Sequence, residues 1–376
     1  MGGFECSTHR LRTGQRLDLI HATEHDRLAL EDYRRLQSLG IQTARDGLRW
    51  HLIEHRPGHY DFSSFLPMLR ASQWCGLQVI WDLCHYGWPD GLDVFSGTFI
   101  DRFAAYSRAV AEVLRDEGHT APFLTPINEL SFLSWAGGEV GYLNPFTHGQ
   151  GGLFKRQLVR ASIASMETIW SILPEARMVQ CDPLVAVHGD AEHGQPTSHA
   201  AHRYQYESFD LLSGRLEPEL GGQSKYLDIL GLNYYPTNQW IHDGPRIDRA
   251  HASYRPLRDL LLEVHHRYGR PMLIAETGTE GEERADWLRY VGEEALAALQ
   301  CGVPLHGVCL YPVVNHPGWD DQRHCHNGLW DYPHRDERAV DRPLALEVQA
   351  LQSAAAALTG HATAELNIPE VKVKAV

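Results

Sequence analysis

Eight times along this chain a short, continuously apolar run is followed by a stretch with helical periodicity. Few folds accept that order. The runs read as strands at GGFECST (2–8), IQTARDGL (41–48), QVIWDLC (78–84), APFLTPINE (121–129), ARMVQCDP (176–183), YLDILGLNYY (226–235), PMLIAET (271–277) and LHGVCLY (305–311). Continuous rather than alternating apolarity marks strands covered on both faces, as in parallel sheets. Helical patterns fall near 23–39, 62–76, 98–117, 154–173, 197–213, 253–268, 282–301 and 343–358. Thr23 with Asp26 reads as a capping-box start for the first of them, and Gly40 as its stop. Such alternation implies parallel pairing with right-handed crossovers. Eight units predict an α/β chain closed into a (β/α)8 TIM barrel. An open doubly wound sheet would want a glycine-rich phosphate turn after the first strand, and the sequence has none there. The whole of 1–376 is expected to form a single domain, with a tail from about Gly360.

Composition removes several classes of partner. A net charge of −14 argues against nucleic acid and against acidic membrane surfaces. No apolar run reaches the length of a membrane span. The opening MGGFECSTHR lacks a basic-then-apolar leader, and Cys6 stands where a myristoylation signal wants Ser or Thr. The cysteines number seven, none in a CxxC pair, and most lie in apolar runs. That pattern predicts reduced core thiols and a cytoplasmic location. Among 23 histidines the one dense cluster is His324, Cys325 and His326. A zinc site would need further spaced ligands that the sequence does not supply, so a polar loop is expected, with neither a metal nor an organic cofactor.

Two of the apolar runs stop at a glutamate: TPINEL ends on Glu129 and LIAETG on Glu276. A buried carboxylate must be paired, hydrogen-bonded or neutralised. Either glutamate alone reads equally as a helix cap or a surface ion pair. Two at equivalent strand ends read as chemistry, because facing carboxylates are what glycosidic bond cleavage requires. In a barrel the C-terminal strand ends build the site. Those ends supply Arg45, His85, Tyr86, Asn128, Glu129, Asn233, Tyr235, Glu276 and Tyr311. Hydroxyl, ring and guanidinium donors beside aromatic faces suit a sugar. Read one at a time, Asn128 is also a turn residue, Tyr235 a core tyrosine and His85 a helix cap.

The same segments resemble the (β/α)8 glycoside hydrolases of clan A, and among them family 1, the β-glucosidase-like enzymes. ARDGLRW (44–50) is similar to that family's RFSISW strand and WDLCHYGWPDGL (81–92) to its YHWDLP segment. INEL with the following SFLSWAGGEVGYLNPF is similar to its NEP segment, ILGLNYYP (229–236) to GLNYY, and IAETG to ITENG. The resemblance runs from the first strand to the loop after the eighth. It implies a retaining β-glycosidase without cofactor, acting on a small carbohydrate or glycoside. Glu276 would be the nucleophile and Glu129 the acid/base. Tyr235 and Arg45 would support Glu276, with Asn128, His85, Asn233 and Tyr86 in the sugar site. Two departures stand out. In YPVVNHPGW (311–319) Tyr311 replaces the family's first Trp, Trp319 keeps the second, and Gly318 stands where a sugar-gripping Glu belongs. Asp320 or Asp321 would replace that grip. The family's strand-one Gln is also absent, with His9 the nearest polar substitute and Glu5 another. Three other readings stay open: a transglycosylase using the same pocket, with Trp135, Tyr142 and Phe146 near the acceptor; a non-catalytic sugar-binding barrel; and a metal-dependent barrel hydrolase. The last wants an HxH pair at strand one, where STHRLR offers one histidine.

Overall fold

A computed structural model describes residues 1–189, 194–332 and 338–360. Eight parallel strands close into a barrel: β1 (Gly2–Gly3), β2 (Thr43–Gly47), β3 (Gln78–Cys84), β4 (Phe123–Ile127), β5 (Arg177–Pro183), β6 (Ile229–Asn233), β7 (Met272–Thr277) and β8 (Leu305–Leu310). Each is hydrogen-bonded to its sequence neighbours, and β1 returns to pair with β8 through Gly2 and Leu310. Helices cover the outside. Trp50, fully buried, stacks on Tyr106 of the helix Gly97–Asp116 with ring centroids 5.1 Å apart. Inside the barrel, Ile80, Val179, Cys181, Ile229, Leu273 and Ala275 form a small apolar floor. Asp82 lies two residues beyond Ile80 on β3 and therefore faces the same way, one layer higher. The polar layer of the molecule begins there.

The expected elements appear in the expected order, with corrections to several of their bounds. The first strand was expected over 2–8, but its ladder is two residues long, and Phe4 adds one further bond to Arg45 O. The helix predicted from Thr23 begins two residues later, as His25–Ser38, and a separate short helix, Leu19–Ala22, precedes it. The Thr23 hydroxyl bonds back to Leu19 O instead of capping forward, and Glu24 turns left-handed at φ 55. A local side-chain bond has thus competed with the capping box. Gly40 does stop the second helix, at φ 71. The helix expected over 197–213 is interrupted by a 3-10 turn at Tyr204–Tyr206, giving Gly194–Arg203 and Glu207–Ser213. The helix expected from 253 begins at Leu257, behind Pro256, which cannot donate a backbone bond. The tail beyond Gly360 lies outside the described residues. Cys6, Cys84, Cys181, Cys309 and Cys325 are buried free thiols, Cys75 is half-buried and Cys301 exposed. No helix among the described residues is long and apolar enough to cross a membrane.

Candidate active site

Arg45 organises the mouth of the barrel. It projects from β2, is fully buried, and uses each of its five N–H donors. Nε and Nη2 reach the two oxygens of Asp82 at 3.1 and 2.7 Å. Nη1 reaches Glu276 Oε1 at 2.6 Å and Ala275 O at 3.3 Å. Nη2 also reaches Asn128 Oδ1 at 2.6 Å. Burial opposes the guanidinium charge, but Asp82 and Glu276 outweigh it and hold Arg45 firmly protonated. A planar fork can meet two carboxylates and an amide together, which a lysine cannot.

The two glutamates stand in different surroundings. Glu276 ends β7, paired with Arg45 through one oxygen, and accepts from the Tyr235 hydroxyl through the other at 2.8 Å. A register shift between β6 and β7 sets Asn233 directly beside Glu276. Glu129 follows β4. It accepts from Asn233 Nδ2 at 2.9 Å on Oε1 and from the Tyr86 hydroxyl on Oε2. No cation pairs with it among the described residues. Burial first, and then repulsion from Glu276, push its carboxyl up to about 8, although the bonds from Tyr86 and Asn233 pull the other way. Glu129 (φ 48) and Tyr86 (φ 66) both hold the left-handed backbone conformation that non-glycine residues avoid. Two such residues joined by a hydrogen bond mark a place where the fold tolerates strain of order 1–3 kcal/mol each, and such places cluster at functional sites.

The remaining residues tie this pair into the barrel. Asn128 donates to His85 Nε2 at 3.1 Å and to the Tyr86 oxygen at 3.0 Å. His85 Nδ1 lies 2.9 Å from Asp82 Oδ2, so Asp82 fixes both Arg45 and the imidazole. Tyr311 lies parallel to His85 at 6.2 Å and under Arg45, whose guanidinium carbon is 5.6 Å from its ring centre. His9 meets Trp319 edge-on at 4.7 Å, and Trp319 meets Tyr86 at 5.9 Å. The structure therefore brings Arg45, His85, Tyr86, Asn128, Glu129, Asn233, Tyr235, Glu276 and Tyr311 into one connected network, with His9 and Trp319 against its edge. Asp320 is set apart. It is exposed, and its Oδ2 accepts from the Tyr142 hydroxyl at 2.8 Å. Asp321, also exposed, accepts from the backbone N–H of Arg323 at 3.2 Å.

Sequence reasoning missed Asp82. Its signal was present: a lone carboxylate inside the apolar run QVIWDLC, the same anomaly that singles out Arg45 in its own strand. The His324 cluster gains a partner the spacing did not reveal. Asp331 Oδ1 lies 2.7 Å from His324 Nε2, and the ligand atoms of His324, His326 and Asp331 fall within 4.8 Å of one another, a group able to hold a metal ion.

Fold and site together define a (β/α)8 barrel with two buried carboxylates at its C-terminal mouth. No family model and no curated protein sequence matches the chain. Among solved structures it is similar to the family 1 β-glucosidase of Thermotoga maritima: the azafagomine complex gives a TM-score of 0.74 at 17% identity, covering 88% of this chain and 87% of that one. The AHE enzyme from Alicyclobacillus herbarius gives 0.74 at 17% identity, with 89% and 88% covered. The Thermotoga maritima enzyme in complex with deoxynojirimycin gives 0.72 at 16%, with 88% and 87% covered. At these identities the likeness is one of fold: the chain shares the (β/α)8 barrel of these structures.

Proposed function

We propose that this protein is a retaining β-glycosidase that cleaves the glycosidic bond of a small, neutral glycoside by double displacement. The observation that carries the reading is the contrast between two neighbouring carboxylates. One is paired with Arg45 and bonded by Tyr235; the other has no cation and is pushed up to about 8. Environments that separate two titratable groups assign the acid and the base. In this reading Glu276 attacks the anomeric carbon while Glu129 gives its proton to the leaving oxygen. The covalent bond between Glu276 and the sugar is then cleaved by water, from which Glu129, now ionised, removes a proton. Tyr235 and Arg45 hold the attacking oxygens in place. Tyr86 and Asn233 hold Glu129. Asn128, His85, Tyr311 and Trp319 surround the sugar. The similar solved structures support a carbohydrate ligand, since they were determined with sugar-like inhibitors such as glucoimidazole and deoxynojirimycin.

The test is a panel of aryl β-glycosides, with the configuration of the first-formed sugar read by proton NMR. Release of the β-anomer supports double displacement. Release of the α-anomer sinks retention. No turnover of any member, with sugar binding intact, would favour a non-catalytic sugar-binding barrel.

A further inference from the structure

A second group of ligand-bearing side chains stands apart from the Arg45 network. Past β8 the chain folds into a short antiparallel hairpin, His316–Pro317 against His324–Cys325, with Trp319 in its turn. His324 and His326, on either side of Cys325, bring their ring centres to 4.6 Å. Cys325 itself is buried, with its Sγ 3.7 Å from Arg323 O. Asp331 meets the two rings from the segment that follows the hairpin. The ligand atoms of His324, His326 and Asp331 all lie within 4.8 Å of one another.

Each ligand is held in place by its surroundings. The His324 ring stacks on Tyr332 at 4.8 Å and 25°. Its Nε2 is closed to solvent and lies 2.7 Å from Asp331 Oδ1, but without the alignment of a hydrogen bond. A buried polar atom left in that state costs stability unless something completes it. Asp331 Oδ1 accepts from the backbone N–H of Tyr332 at 2.8 Å, and the Asn315 side chain also bonds the carboxylate. The chain at Asp331 belongs to the body of the barrel: the N–H of Trp330 donates to Val313 O at 2.9 Å, and that of Asn315 to Trp330 O at 2.8 Å. The His326 ring is exposed, while its carbonyl accepts from the N–H of Gly281 at 2.9 Å. Nearby groups are already matched. Glu280 accepts from Arg323, and the His316 nitrogens lie 2.8 Å from Pro317 O and 2.9 Å from Asn327 Nδ2.

We propose that His324, His326 and Asp331 bind a zinc ion, and that the ion pins the Trp319 hairpin to the chain at Asp331. Two imidazoles and a carboxylate are zinc ligands, held at about 2.0–2.2 Å in a tetrahedron. That geometry sets ligand atoms roughly 3.3–3.6 Å apart. The His324–Asp331 contact must therefore open by under about 1 Å while His326, the exposed member, swings in. Three protein ligands leave the fourth position to water, so the ion exchanges with the medium. Its effect reaches the barrel mouth through the hairpin. Trp319 stands 4.7 Å from His9 and 5.9 Å from Tyr86, ring centre to ring centre, and Tyr86 donates to Glu129.

Calorimetric titration of the full chain, treated with chelator and carrying no histidine tag, with zinc alone tests this. The wild type should take one zinc ion per chain. Loss of even a supporting partner costs a metal site about 10- to 100-fold in affinity, so His326→Ala and Asp331→Asn should each bind zinc at least ~10-fold more weakly. His59→Ala, which removes an exposed histidine elsewhere, should bind as the wild type does. Asn at 331 keeps an acceptor for Tyr332, and His326→Ala trims an exposed ring; if either variant does not fold, the other decides. Hydrogen exchange reads the tie. The N–H groups of Gly318 and Gln322 close the turn around Trp319, bonding Arg323 O at 2.8 Å and Gly318 O at 3.2 Å. Zinc should slow their exchange in the wild type and not in His326→Ala. A wild type that takes no zinc, or variants that bind it as the wild type does, overturn the site. Zinc binding that leaves those two amides unchanged overturns the tie. None of these readouts needs a glycoside, so the zinc site and the hydrolase reading fail separately.

Discussion

Glu129 is a carboxyl whose protonation is set by what surrounds it, and that makes its role measurable. With its carboxyl pushed up to about 8, it holds its proton at neutral pH and loses it as pH rises through that value. The kcat/KM of a glycoside with a poor leaving group should therefore fall on an alkaline limb near pH 8. Tyr86 donates to the ionised form of Glu129, and a bond of that kind favours ionisation. Tyr86→Phe should accordingly move the limb to higher pH; a limb that stays put or moves down would remove Glu129 as its source. Glu276→Ala should lose nearly all activity, and added azide or formate should restore some by filling the space and attacking the anomeric carbon, giving inverted product. A variant that keeps near wild-type rates would disqualify Glu276 as nucleophile. Arg45→Lys trades five directed donors for a point charge with three and leaves part of the Asp82–Glu276–Asn128 set unmatched. Breaking a buried pair of this kind costs about 3–5 kcal/mol, so a lower melting temperature should accompany the lost activity. Residues of this sort were legible in the sequence where a polar group interrupted an apolar run, as Arg45, Glu129 and Glu276 do. Glu5 and Asp82 carry the same signal, yet their pairing with Ser7, His85 and Arg45 joins positions up to 80 residues apart, beyond what spacing reveals.

Elements were most legible where one force dominates. β3 occupies Gln78–Cys84, as its apolar run predicts, because both its faces are covered. Boundaries failed where a local bond competed. The Thr23 hydroxyl took Leu19 O and delayed the helix start to His25, and β4 stops at Ile127, two residues short of Glu129. The helix His25–Ser38 carries an ionic knot that no spacing pattern announces. His25 is fully buried, with Nδ1 2.8 Å from Asp32 and Nε2 2.8 Å from Asp46, while the Tyr33 hydroxyl donates to Asp46 at 2.6 Å. Burial pulls the imidazole down, but Asp46 and Asp32 outweigh it and raise it to about 9. A folded-state value above the ordinary 6.5 gives stability that is fully present below pH 6.5 and lost as pH rises through 9. The contribution is at most roughly 3 kcal/mol. Chemical denaturation at pH 6.5 and pH 9.5 should show a loss in the wild type that His25→Asn, already weaker at pH 6.5, does not share. Equal pH dependence in both proteins would show that His25 is not the titrating group.

For the whole molecule, eightfold alternation was enough to predict a closed barrel, because handedness and coverage leave few other ways to arrange eight such units. Barrel closure needs the strand Leu305–Leu310, and a further tie to the N-terminal helices comes later still. Arg338 bonds both oxygens of Asp32, at 2.5 and 2.7 Å, across 306 positions of sequence. Ribosomes add about 5–20 residues per second, so on the order of 15–60 s separate the synthesis of the two ends of that ion pair. During this interval Asp32 has His25 and Arg35 but not Arg338, β1 lacks one of its two neighbours, and Glu276 joins Arg45 only after seven strands have been made. A nascent chain halted near residue 300 should therefore be degraded by protease as readily as an unfolded one. One released past residue 345 should resist it. The ring is thus a structure whose first strand waits for its eighth: Gly2 finds Leu310 only when both ends of the barrel exist.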